Sequence, residues 1–269
     1  MASALPVPRC VFSTALEPPG SMRTVTDRAL VIRTPSGLSG DMLVTGLARL
    51  AAVSADELEQ LVVSIGLPAL HRVLKIERCS VHGISGWRAQ IALPPEHHHR
   101  SLADIGEIIG ASAMTSAAKA LALEAFTVLG RAESAIHDIP LEAVHFHEVG
   151  ALDSILDTCL AAALLTRLAP RALYCSPLPL CDGVIRCDHG VLASPAPAVQ
   201  EMLRDIPVYG IDSSGETVTP TAIAFLRAAG TVFGGWPQAT IVDVARAYGG
   251  RILPGVPNGA MFFLVADAS

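Results

Sequence analysis

The chain of 269 residues is 51% hydrophobic, only 4% aromatic, and carries a formal net charge of −6. That is enough apolar material for the core of one large domain or two small ones, so disorder is not its default state. An acidic, aromatic-poor chain with no basic stripe is excluded from nucleic-acid binding, which needs phosphate-neutralising charge and stacking surfaces.

Pro, Gly or a charge interrupts every apolar stretch before it reaches the roughly 18 residues of a membrane helix, so no membrane span is expected. Pro6, Pro8 and Arg9 deny the N-terminus a secretory signal, which makes the cytoplasm the expected compartment. The six cysteines, Cys10, Cys79, Cys159, Cys175, Cys181 and Cys187, are too sparse for a disulfide scaffold.

Residues 1–27 mix Pro, Gly, Ser and Thr without periodicity and read as a tail, leaving 28–269 as the folded unit. Ala29-Leu30-Val31-Ile32 predicts a buried strand running into the loop Thr34-Pro35-Ser36-Gly37-Leu38-Ser39-Gly40, with Asp41 at a helix start. Helical periodicity follows from Met42 to Ala52, and Ser54-Ala55-Asp56-Glu57 is a capping box opening a second helix to Ile65.

Two alternating runs, Arg72–Arg78 and Trp87–Leu93, predict an antiparallel pair, and the His-rich stretch Pro94–Arg100 predicts an exposed loop. A further capping sequence at Ser101–Asp104 and an amphipathic stretch from Thr115 to His137 predict more helix, and Asp153–Leu168 another, which Asp153 is expected to cap. Short runs at Ala172–Cys175, Val184–Cys187, Val208–Ile211 and Met261–Val265 read as strands, and Ala222–Ala229 as a helix. The class is mixed α/β, Ala/Leu-rich helices packed on short strands.

Three stretches carry candidate chemistry. In His145-Phe146-His147 the imidazoles are two residues apart, so on an extended segment both face one side and can share a metal ion. Glu148 follows directly, and Asp153 and Asp157, four apart, lie on one helical face. Spacing alone explains these acids equally well as caps and solvated charges. His189 is a further candidate ligand, and Cys175, Cys181 and Cys187 recur every six residues, a spacing unlike a compact metal knuckle.

The Ser36–Asp41 loop offers backbone amides at a helix start, suited to a phosphate, with Asp41 as a metal or hydroxyl contact; it has no P-loop Lys, and a tight turn with Asp41 as cap explains it as well. Gly215-Glu216-Thr217-Val218-Thr219-Pro220-Thr221 could hold substrate hydroxyls or phosphate, and a plain helix entrance explains it equally well.

Taken in order, Ser36–Met42, the His-rich run before Arg100, His145–Ile155, His189-Gly190 with Pro195-Ala196-Pro197-Ala198, and Thr219-Pro220-Thr221 resemble the LarC nickel-insertion family across roughly Leu30 to Val265. The resemblance implies a cyclometallase that inserts nickel into pyridinium-3,5-bisthiocarboxylic acid mononucleotide, consuming CTP with a divalent metal, to form the nickel pincer nucleotide of lactate racemase. It further implies His145, His147, His189, Asp153 and Asp157 as metal ligands, Glu148 as base or ligand, and Ser39, Gly40, Asp41 and Thr219 near the nucleotide phosphate.

Against the family pattern, Arg33 stands where an acidic residue is usual, and Ala247-Tyr248-Gly249-Gly250-Arg251 departs from a Gly-Tyr-Gly-Ala-Gly-like stretch. The family's CTP-binding C-terminal domain is expected to be absent here, which implies a separate C-terminal partner. A homo-oligomer is the other candidate assembly. The alternatives to a nickel chelatase are a nickel carrier or scaffold without turnover, and a diverged phosphate-binding protein.

Overall fold

The computed structural model describes residues 28–94, 100–146, 150–187, 190–253 and 255–267. The chain begins with strand β1 (Arg28–Arg33), helices α1 (Gly40–Leu50) and α2 (Ala55–Ser64), and a hairpin of β2 (Leu74–Val81) and β3 (Ile84–Ile91). A short β4 (Arg100–Ser101) leads to α3 (Leu102–Ala111), the long α4 (Ser116–His137), β5 (His145–Phe146) and α5 (Leu152–Leu168). Then come β6 (Leu173–Cys175), β7 (Leu178–Leu180), β8 (Val184–Cys187), β9 (Gly190–Ala193), α6 (Pro197–Met202) and β10 (Val208–Gly210). The described chain ends with α7 (Pro220–Ala228), β11 (Val232–Phe233), β12 (Ala239–Ala247) and β13 (Ala260–Asp267).

The main sheet has seven strands in the order β11-β6-β1-β13-β12-β3-β2. It is mixed: β1 runs parallel to β6 and antiparallel to β13, while β12 is antiparallel to β13 and meets β3 only at Ala247 opposite Trp87. β1 lies inside the sheet and its Ala29–Ile32 are almost wholly buried, which is why it reads as a continuous apolar run rather than an alternation. Leu30 and Ile32 enter the large core under the helices, and Ala29 and Val31 a smaller cluster with Val265 on the other face.

The large core is built from aliphatic side chains of α1, α4, α5 and α7 against that sheet, with Phe126, Phe146, Phe225 and Phe262 as its bulkiest members. At about 25 cal/mol per Å² of apolar surface, such side chains supply roughly 1.5–3 kcal/mol each when fully buried. α5 is apolar nearly all round, so it lies inside the helical layer between α1 and α4.

The expected capping boxes are present: Ser54 with Glu57 opens α2 and Ser101 with Asp104 opens α3. One expectation is corrected. The N-cap of α5 is Ala151, which makes no side-chain cap, and Asp153 lies inside the first turn, its Oδ1 accepting the Ser154 N–H at 2.7 Å. β12 went unpredicted because most of it behaves as an edge: Ile241, Val242 and Val244 are exposed, so no buried face imposed an apolar alternation. The His-rich loop expected at 94–100 lies, for residues 95–99, outside the described residues.

Candidate metal and nucleotide site

Three helix N-termini converge on one cavity of about 420 Å³, lined by Ser39, Gly40 and Asp41 of α1, Asp153, Ser154 and Asp157 of α5, and Thr219 and Thr221 of α7. The β3 residues Ala89 and Ile91, with Leu93, form its apolar wall. Each element arrives there for a local reason. Leu38 exchanges backbone hydrogen bonds with Thr217 and Thr219, at 2.9 and 3.1 Å, which ties the start of α1 to the start of α7. Thr219 caps α7 through its hydroxyl, which accepts the Ala222 N–H at 3.3 Å.

The glycines of the Ser36–Asp41 loop serve two purposes. Gly37 has φ +112°, a backbone conformation that disfavours any side chain. Gly40 is a helical residue whose importance is proximity: a Cβ there would lie 2.5 Å from Asp157 Oδ2. The carboxyl of Asp157 therefore rests directly on the α1 backbone, and Gly40 has a packing reason to lack a side chain at this edge of the cavity.

Electrostatically the cavity is strained toward protonation. Burial raises the Asp157 carboxyl well above its ordinary value, and the neighbouring carboxylates of Asp41 and Asp153 raise it further. Burial likewise raises Asp41, opposed by the Ser39 hydroxyl, which donates to Asp41 Oδ1, by the Met42 and Asp41 N–H groups and by Arg88. Asp157 Oδ1 is buried without a hydrogen-bond partner. A buried acceptor with no donor is costly, and a cation in the cavity removes both that cost and the mutual repulsion of the acids.

The remaining sequence candidates fall elsewhere. His145 is exposed on β5, paired with Ser101 of β4 and within electrostatic reach of Asp104; it does not line the cavity. Phe146 points inward against Phe126, their ring centroids 6.3 Å apart, and the Arg100 guanidinium donates to the Gly150 carbonyl at 2.7 Å. His147, Glu148 and His189 lie outside the described residues. Among the described residues, no three His, Cys, Asp or Glu side chains form a ready-made metal cage.

Cys175 is buried, and burial pushes its thiol up to about 12, so it stays protonated and inert. Cys181 donates to the Gly215 carbonyl at 3.0 Å. Arg33 is committed to the sheet: its Nη1 donates to the Gly234 carbonyl at 3.2 Å and its guanidinium lies 5.1 Å from the centre of the Trp236 ring.

A second cavity, of about 210 Å³, opens from the same residues Ser39, Asp41 and Thr219 and extends past Arg88, Tyr248, Arg251 and Asn258. Sequence reading missed Arg88. The available signal was a cation within the half-buried, otherwise largely apolar run Trp87–Leu93.

Comparison with known proteins places these residues in a family. Residues 30–268 match the family described as nickel insertion protein. A relative in Geobacter metallireducens is 38% identical over 229 residues, 85% of this chain and 58% of its own length. The pyridinium-3,5-bisthiocarboxylic acid mononucleotide nickel insertion proteins of Staphylococcus epidermidis and Desulfitobacterium hafniense are 35% and 36% identical, each over 83% of this chain and 56% and 54% of their own length. The chain thus spans somewhat over half the length of these curated relatives. No solved structure matches it. The cavity residues of α1, α5 and α7 all lie within the matched span, and the chain belongs to the nickel insertion protein family.

Proposed function

We propose that this chain is the metal-handling portion of a nickel chelatase that loads pyridinium-3,5-bisthiocarboxylic acid mononucleotide, the substrate named for its relatives in Staphylococcus epidermidis and Desulfitobacterium hafniense. The observation that carries this reading is the buried, unpartnered Asp157 carboxyl flanked by Asp41 and Asp153 in one cavity. Nickel enters as substrate. Oxygen and imidazole donors hold it exchangeably, as transfer to the softer sulfurs of the thiocarboxylates requires.

In this reading Asp153 and Asp157 ligate the ion within the cavity, and His145, which stands outside it on β5, supplies with His147 and His189 the imidazoles that capture the ion on its way in. As the nickel–carbon bond forms, the ring C–H bond breaks and its proton passes to Glu148 or to one of these histidines. Ser39, Gly40, Asp41 and Thr219 face the mononucleotide. The CTP-consuming step, with its divalent metal, is assigned to a C-terminal unit or a separately encoded partner, and the reaction belongs to the lyase class. Assembly of the chain into a homo-oligomer and action in the cytoplasm are compatible with this scheme.

A second reading is a nickel carrier or scaffold without independent turnover, which needs only exchangeable ligands such as the cavity acids. One experiment separates the readings: incubation of the chain with nickel, CTP and the bisthiocarboxylic mononucleotide, with and without the C-terminal region of a full-length relative. Nickel-loaded product formed by the chain alone or with that region supports the chelatase. Tight nickel binding without product in either arm supports the carrier. Unchanged nickel affinity in Asp157→Asn, and in His145→Ala combined with His147→Ala, refutes the assigned ligands.

A further inference from the structure

The two cavities that meet at Ser39, Asp41 and Thr219 differ in their charged groups. Beyond the shared Asp41, one lobe holds only the carboxylates of Asp153 and Asp157, whereas the other brings in the guanidinium groups of Arg88 and Arg251 beside the single acid Glu216. A substrate with a metal-binding ring at one end and a phosphate at the other needs such a division.

Arg88 lies on β3 with its Nε buried and without a hydrogen-bond partner. A buried cationic donor left unmade is unfavourable, and such groups in native proteins usually answer to a ligand or an ion. Asp41 lies within electrostatic reach of Arg88, yet the two form no ion pair among the described residues. Arg251, which lines the same cavity, packs its guanidinium over Gly215, where a Cβ would lie 2.6 Å from Nη2. Among the described residues it too has no carboxylate partner.

We infer that Arg88 and Arg251 form the phosphate subsite of this cleft, so that a mononucleotide binds with its 5′-phosphate in the arginine-bearing lobe and its pyridinium ring toward Asp153 and Asp157. Guanidinium forks match phosphate oxygens and make charge-assisted hydrogen bonds about twice as strong as neutral ones. The Ser39 and Thr219 hydroxyls, at the waist between the lobes, face the ribose. The inference rests on the nickel-insertion reading for its substrate class.

The test uses two pyridinium probes that differ only in the phosphate, nicotinate mononucleotide and nicotinate riboside, titrated calorimetrically into the full chain. The wild-type protein should bind the mononucleotide at least about tenfold more tightly, a difference of about 1.4 kcal/mol. Arg88→Met should bring that ratio close to one while leaving riboside affinity unchanged, Arg251→Met should lower it in part, and Arg88→Lys should recover part of it.

The inference is overturned by equal affinity of the wild-type protein for both probes, by binding of neither, or by an unchanged ratio in Arg88→Met. A parallel fall in riboside affinity overturns it too, since that assigns Arg88 to the ring or to the fold. Nickel binding by Asp157→Asn is measured alongside. If the phosphate arm fails while Asp157→Asn still loses nickel, only the subsite falls; if nickel affinity survives Asp157→Asn, the ligand assignment beneath it falls as well.

Discussion

At the scale of single residues, Asp157 is where stability and function oppose one another. Its carboxyl is raised because burial and the neighbouring acids disfavour the charged form, so the folded chain holds this proton more tightly than the unfolded chain does. The corresponding stability is fully present below the ordinary carboxylate value and is lost as pH rises through the raised one. Metal-free Asp157→Asn should therefore melt higher than wild type at pH 7, by about 3 °C or more, the shift that ~1 kcal/mol produces in a domain of this size. The advantage should shrink toward zero near pH 4, and melting curves across that range decide it. An advantage that is constant with pH would mean that the charge is not the cause.

Gly40 supplies the complementary residue-scale case. An added methyl at Gly40→Ala meets the Asp157 carboxyl at 2.5 Å, and overpacking of this kind costs about 1–3 kcal/mol. Because the clash is with one side chain, Asp157→Ala should relieve it. In a double-mutant cycle by chemical denaturation, the pair should be less destabilised than the sum of the single variants by about 1 kcal/mol.

At the scale of elements, the sequence was most legible where local chemistry decides the structure. The capping boxes of α2 and α3, the length of α4 and the continuous apolar run of β1 depend on neighbours in the chain or on plain burial, and each was readable from residue order. β12 was not readable, because its pairing with β13 is long-range and its exposed flank carries no alternation. The same divide runs through the site. Asp153 and Asp157, one helical turn apart, were legible as a pair, whereas Asp41 on α1 and Arg88 on β3 join them only through tertiary packing.

The α2 cap gives an element-scale prediction. Glu57 is held at about 2, foremost by the Ser54 N–H and then by Arg167, which reaches it from α5 at 2.7 Å. Its folded value is depressed, so its contribution is present above the unfolded value and is lost as pH falls toward about 2. Ser54→Ala, which removes the other half of the box, should cost about 1 kcal/mol at neutral pH. Glu57→Gln should be less stable than wild type at pH 7 and converge with it near pH 2. Convergence already at the ordinary carboxylate value of 4.5 would show that Ser54 and Arg167 do not hold the charge.

At the scale of the whole molecule, the candidate site is assembled from α1, α5 and α7, which are distant in sequence and joined through the common core, the packing of Asp157 on Gly40 and the Leu38 bridge to Thr217 and Thr219. A cation held by side chains on both α1 and α5 binds the folded chain and not the unfolded one, so its binding free energy adds to global stability. Helix N-termini alone favour anions, which makes the acid cluster, rather than the helix ends, the source of any cation affinity.

Nickel at about 100 times its dissociation constant should therefore stabilise the wild-type chain by ~2.7 kcal/mol. That corresponds to a rise of roughly 5–10 °C at about 2–4 °C per kcal/mol. The rise should appear as a shift of one cooperative transition rather than as a change in its early phase, because the ligands bridge the core instead of decorating a loop. Combined Asp41→Asn, Asp153→Asn and Asp157→Asn should abolish the shift while raising the metal-free melting temperature at pH 7. A nickel shift that persists in this triple variant would place the ion at the histidines alone and separate metal capture from the cavity between α1 and α5.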